Sequence, residues 1–186
     1  IIFLGDIMHT NLEIEYKTMI TREQFEDLIQ SYPNAKIIRQ TNTYFKSATS
    51  DQKKSIRIRE IDGKFIFTCK IPTTKGIIEK EMAVKGNQTK DLNEPEILQF
   101  LASVNLMKPY TKEGELHTER HLIIDPYGEL CLDKNYYNNQ IDYEIEYEIK
   151  GNPEKGFNHF LSILKEHQIQ YTPSPLSKYA RCIKQK

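Results

Sequence analysis

The 186 residues carry 26 basic and 26 acidic side chains, so the formal net charge is zero and no global field draws the chain toward nucleic acid or an anionic membrane. The three cysteines, Cys69, Cys131 and Cys182, show no CxxC spacing and are odd in number. This argues against a disulfide framework and a zinc site and fits a reducing, cytoplasmic setting. The length suits one substantial core.

The opening "IIFLGDIM" is apolar, but it is short, contains Asp6 and lacks a basic start, which makes it a poor signal peptide and too short to span a bilayer. Residues 1–9 are expected to be a leader or upstream remnant, with Met8 a native start, and 10–186 a single domain. The first strand is expected at 12–19. A helix follows from Thr21, with Gln24 placed to complete a capping box and Phe25, Leu28, Ile29 and Tyr32 on its buried face, and Pro33 ends it. Alternation then predicts strands at 42–47, 55–61, 64–71 and 77–84, with a "DG" hairpin turn at 62–63. A second helix starts near Asn93 with Pro95 in its first turn and an apolar face of Ile97, Leu98, Leu101 and Val104. Strands at 118–125, 128–134 and 141–149 come next, the first two joined by the "PYGE" turn, and a third helix follows Asn152 and Pro153. Helices set between runs of antiparallel strands predict an α+β fold, and eight strands suffice to close a β-barrel with the helices packed outside.

Side chains alternate across a strand, so each strand can be divided into two faces. One face collects Glu13, Glu15 and Lys17; Arg57 and Arg59; Thr68 and Lys70; Glu79 and Glu81; Asp133; and Asp142, Glu144, Glu146 and Glu148. The other collects Leu12, Ile14 and Tyr16; Ile56 and Ile58; Phe65, Phe67, Cys69 and Ile71; Leu130 and Leu132; and Tyr143, Ile145 and Tyr147. For any one strand the ordinary explanation is a sheet with one dry and one wet face. In a closed barrel, however, the polar faces must all line the interior. Ions in such number cannot form a dry core, because each unpaired buried ion costs several kcal/mol. The expectation is a wet tunnel whose Arg and Lys side chains suit a polyanion and whose carboxylates suit a hard divalent cation.

These residues resemble the CYTH superfamily, the triphosphate tunnel metalloenzymes, which include class IV adenylyl cyclases and thiamine triphosphatases. The ExExK signature stands as Glu13-Ile14-Glu15-Tyr16-Lys17, followed by Arg57 and Arg59, the TxK of Thr68 and Lys70, the acid of "EKE", Arg120, Asp133, and Glu144 with Glu146. The "SKYAR" stretch places Ser177, Lys178 and Arg181 near the end. The resemblance spans almost the whole chain. It implies an eight-stranded antiparallel barrel in which Lys17, Arg57, Arg59, Lys70, Arg120, Lys178 and Arg181 hold a triphosphate. Glu13, Glu15, Glu81, Asp133, Glu144 and Glu146 hold Mg²⁺ or Mn²⁺. Glu81 is taken over Glu79 on little more than spacing. Tyr44, in "NTYF", is read as structural, and His9, His117, His121, His159 and His167 show no ligand spacing.

The function so implied is metal-dependent hydrolysis of tripolyphosphate or of a small organic triphosphate, with Glu13, Glu15, Lys17, Glu144 and Glu146 carrying the chemistry. An adenylyl cyclase acting on ATP is the second possibility, although no stretch identifies an adenine pocket. A non-catalytic polyphosphate or nucleotide sensor is the third.

Overall fold

The computed structural model describes residues 7–49, 53–173 and 176–184. Among them, nine strands are arranged antiparallel: β1 (His9–Glu13), β2 (Glu15–Ile20), β3 (Lys36–Ser47), β4 (Ser55–Ile61), β5 (Lys64–Thr73), β6 (Gly76–Val84), β7 (Tyr110–Asp125), β8 (Gly128–Tyr137) and β9 (Gln140–Ile149). The helices are α1 (Arg22–Ser31), α2 (Pro95–Ser103), α3 (Pro153–Glu166) and α4 (Lys178–Lys184), and a 3-10 turn, Thr89–Leu92, precedes α2. Strand order is β1-β6-β5-β4-β3-β7-β8-β9-β2. Its two ends, β1 and β2, are consecutive in the chain and joined by the single residue Ile14.

The ninth strand arises because the stretch expected as one strand at 12–19 divides at Ile14. β1 neighbours β6 and β2 pairs with β9. One continuous strand cannot serve both partners, so the ladder breaks where the carbonyl of Ile14 accepts from the Ile149 amide at 2.8 Å. Of the expected leader, residues 1–6 lie outside the described residues, and His9 opens β1.

Contacts divide the chain into two compact units, each built from a sheet face and the helices that cover it. The first comprises the described residues of 1–12, 40–116 and 178–186. Its apolar side buries Phe45, Ile56, Ile58, Phe67, Cys69 and Met82 against Leu92, Ile97, Leu101 and Leu106 from the 3-10 turn, α2 and the segment after it. The second comprises the described residues of 13–39 and 117–177. There Ile20, Leu130, Leu132, Ile145, Tyr147 and Ile149 pack with Phe25 and Leu28 of α1 and Phe160, Ile163 and Leu164 of α3. The sequence cues at the helix starts act as expected. Thr21 accepts from the Gln24 amide while the Gln24 side chain accepts from the Thr21 amide, and the Asn152 carboxamide accepts from Lys155 N–H.

Two departures share one cause. β7 begins at Tyr110, eight residues before the expected start at 118, and α4 was not expected at all. The early part of β7 is polar and interrupted by Gly114, which obscures the alternation. A Cβ at Gly114 would stand 3.0 Å from Cys182 Sγ and 3.1 Å from Ile183 Cδ1, so this glycine admits α4 against the strand.

A closer approach sits at the β7–β8 hairpin. Asp125 Oδ1 accepts from the Tyr127 and Gly128 amides at 2.8 and 3.1 Å, and a Cβ on Gly128 would meet the Glu148 carbonyl oxygen at 2.2 Å. Backbone cannot give way as a side chain can. Gly128→Ala is therefore expected to destabilise the protein by about 1–3 kcal/mol or more, lowering the melting temperature by about 2–4 °C per kcal/mol, as a thermal scan will read.

All three cysteines are buried and free, and burial pushes the Cys69 thiol up to about 12. Thiolate is the reactive form. The native protein at pH 8 is expected to consume no thiol reagent over minutes, and the guanidinium-denatured chain its full three equivalents.

Candidate functional site

In the first unit, strand pairing builds a polar face opposite the core. Asn42 lies across from Arg59 and Tyr44 across from Arg57, Arg57 pairs with Thr68, and Thr68 and Lys70 pair with Glu81 and Glu79. Two acids share the cations here. Glu79 Oε1 lies 3.3 Å from Arg57 Nη2 and 3.5 Å from Lys70 Nζ, whereas Glu81 Oε1 accepts from the Thr68 hydroxyl at 3.2 Å. Burial, reinforced by the neighbouring Glu79, pushes the Glu81 carboxyl above its ordinary range, against the pull of Arg59 and Arg57. Arg59 donates its Nε–H to Asn42 Oδ1 at 3.1 Å.

Asn42 and Arg57 are buried, and the Asn42 amide nitrogen has no hydrogen-bond partner within the protein. Such an orphaned donor costs about 1–3 kcal/mol. Helix α4 belongs to this unit and carries Lys178 and the buried Arg181. Its Tyr179 ring stands 5.2 Å from that of Tyr44, and the Tyr179 hydroxyl donates to Glu113 at 2.8 Å. Tyr44 thus has the structural part expected of it, seating the helix beside the strand position opposite Arg57.

The second unit carries an acidic face. Asp133 pairs with Glu144 and Arg120, Cys131 with Glu146, and Glu146 with Lys17. Arg120 reaches Asp133 through both fork nitrogens, Nε to Oδ1 at 2.8 Å and Nη2 to Oδ2 at 2.7 Å, and also reaches Glu146 at 3.3 Å. Burial disfavours the Arg120 charge, but Asp133 and Glu146 outweigh it and hold the guanidinium more firmly protonated than usual. Lys17 lies 2.7 Å from Glu15, and Glu13 is buried at the end of β1.

The carboxylates of Asp133, Glu144 and Glu146 offer ligand atoms that all lie within 4.8 Å of one another, and all three residues are buried. Three hard oxygen donors in such proximity fit a divalent ion such as Mg²⁺ or Mn²⁺. Farther along the same face Thr118 donates to Asn135 at 2.8 Å, and Asn135 and Tyr137 donate to Asp142 at 2.9 and 2.5 Å. That ladder was not singled out in the sequence, since its members are ordinary strand polars until the pairing aligns them. His159 and His167 lie 3.1 and 2.7 Å from Asp125 and Asp27.

Pairing thus brings Arg57, Arg59, Lys70 and Glu81 to one face in the first unit, and Glu15, Lys17, Arg120, Asp133, Glu144 and Glu146 to one face in the second. A model of the CYTH domain matches residues 11–183. The chain belongs to the CYTH family. In curated sequence, this CYTH chain is 27% identical over 183 residues to the Bacillus subtilis protein named "Putative triphosphatase YjbK", covering 87% of this chain and 90% of the relative. Among solved structures, a "putative adenylate cyclase" of Bacillus halodurans superposes with a TM-score of 0.80 at 30% identity, covering 92% of this chain and 97% of that one. The Hippeastrum protein HpAC1, a putative adenylyl cyclase with a dominant triphosphatase activity, superposes with a TM-score of 0.73 at 20% identity over 94% of this chain and 97% of that one, a likeness of fold. No helix among the described residues is long and apolar enough to cross a membrane.

Proposed function

We propose that this CYTH protein is a divalent-metal-dependent triphosphatase acting on tripolyphosphate or a small organic triphosphate. The observation that carries this reading is the buried Asp133, Glu144 and Glu146 triad, because carboxylate oxygens within 4.8 Å of one another form a hard-donor set that suits a divalent cation. Glu13, Glu15 and Glu81 are proposed as further metal-holding residues. When bound, Mg²⁺ or Mn²⁺ supplies charge neutralisation at phosphate oxygens and lowers the pKa of bound water.

Lys17, Arg57, Arg59, Lys70, Arg120, Lys178 and Arg181 bind the phosphates and fix their position, which is where phosphoryl transfer gains most of its catalysis. Guanidinium forks suit phosphate oxygens geometrically as well as by charge. Glu144 and Glu146 orient the attacking water, with Glu13, Glu15 and Lys17 completing the catalytic set. The name borne by the YjbK relative agrees with hydrolysis. The three free cysteines fit a reducing compartment, and we assign the protein to the cytoplasm.

The Bacillus halodurans relative favours adenylyl cyclase as a second reading. Products separate the two. Incubation with tripolyphosphate, ATP and thiamine triphosphate, each with Mg²⁺, Mn²⁺ or EDTA, is expected to yield phosphate only where metal is present. Cyclic AMP with pyrophosphate from ATP replaces the reading with the cyclase, and tight binding without product replaces it with a sensor.

A further inference from the structure

Asn42 is fully buried on β3, directly across from Arg59 and two residues from the position facing Arg57. Its Oδ1 accepts from Arg59 Nε–H, which fixes the sense of the carboxamide: the oxygen is committed and the nitrogen is the other end. That nitrogen finds no acceptor within the protein. Neither Glu79 nor Glu81 of the same face accepts from it; their observed hydrogen bonds come from Arg57 and Thr68. Asparagine is also a poor strand former. A buried, strand-disfavoured amide with an idle donor beside a guanidinium has the chemistry of an oxyanion site.

We propose that Asn42 is a substrate-binding residue: its Nδ2–H donates to an anionic phosphate oxygen shared with Arg59, while its Oδ1 holds the Arg59 fork in place. The inference rests on the triphosphatase reading above. Aspartate here could orient Arg59 equally well, but it cancels the charge that an anion needs and offers no donor. The neutral amide orients the guanidinium, leaves its charge intact and adds an N–H.

The test uses full-length wild type, Asn42→Asp, Asn42→Ala, Arg59→Met and the Asn42→Ala/Arg59→Met double variant, with tripolyphosphate binding followed by calorimetry and phosphate release by steady-state kinetics. Melting temperatures confirm that each variant is folded. Asn42→Asp and Asn42→Ala are expected to raise KM and Kd for tripolyphosphate by about tenfold each, with kcat changing far less and the Mg²⁺ concentration for half-activation unchanged. In the Arg59→Met background, Asn42→Ala is expected to weaken binding by a further threefold or more, because the amide touches the phosphate itself. Wild-type affinity in folded Asn42→Ala overturns the proposal, since an Asn42→Asp defect alone reports only the added charge. No further loss in the Arg59→Met background overturns direct binding. A wild type that neither binds nor hydrolyses tripolyphosphate overturns the functional reading itself, an outcome visible before any variant is made.

Discussion

Glu144→Gln is expected to release phosphate from tripolyphosphate at least about 100-fold more slowly than wild type, taking groups one shell removed from a metal, worth about 10–100-fold, as the lower guide. A melting curve recorded alongside checks that the variant is folded. Glu144 is fully buried, pairs in register with Asp133, and has a ligand oxygen within 4.8 Å of those of Asp133 and Glu146. Glutamine keeps the shape and removes one negative charge from this acidic group, so the substitution reads charge more than packing. The same substitution is expected to abolish the rise in melting temperature that Mg²⁺ gives the wild type, because a ligand that binds only the folded state stabilises it in proportion to its occupancy. Unchanged turnover together with an unchanged Mg²⁺ response removes Glu144 from the site.

Arg120→Met has the largest expected effect on stability. The Arg120 side chain is 15% exposed and chelates an Asp133 that is 0% exposed, while also reaching Glu146. Its removal takes away the cation that both Asp133 oxygens bind, and breaking a buried pair from one side costs about 3–5 kcal/mol. Methionine keeps most of the side-chain length, so the loss reads charge more than volume. A chemical denaturation curve measures it. Added Mg²⁺ is expected to recover part of the loss in Arg120→Met, since a divalent ion among the same carboxylates replaces the missing positive charge. A loss under about 1 kcal/mol shows that the other surroundings of Asp133 already neutralise it.

The charged faces were legible in the sequence because period-two alternation is a local property. Arg57 with Arg59 and Glu144 with Glu146 had to share faces in any strand, and the observed registers set them beside Thr68 and Asp133. What local pattern could not supply was the partner strand. The division at Ile14 depends on β1 and β2 having different neighbours, and nothing in "LEIEYK" records that. Neither Glu79 nor Glu81 is distinguished by alternation, as both lie on one face; only pairing shows Glu79 beside Arg57 and Lys70 and Glu81 beside Thr68. Asn42 stayed hidden for a similar reason. In sequence it is one polar residue in "QTNTYF", and its idle amide exists only once Arg59 occupies its oxygen.

Phosphate release from tripolyphosphate by the purified full chain, with Mg²⁺ and then with excess EDTA, tests the central claim most directly. Steady release with Mg²⁺ that EDTA stops and that Glu144→Gln lacks is the predicted result. Release that persists undiminished in EDTA, or none from any triphosphate with either Mg²⁺ or Mn²⁺, contradicts it.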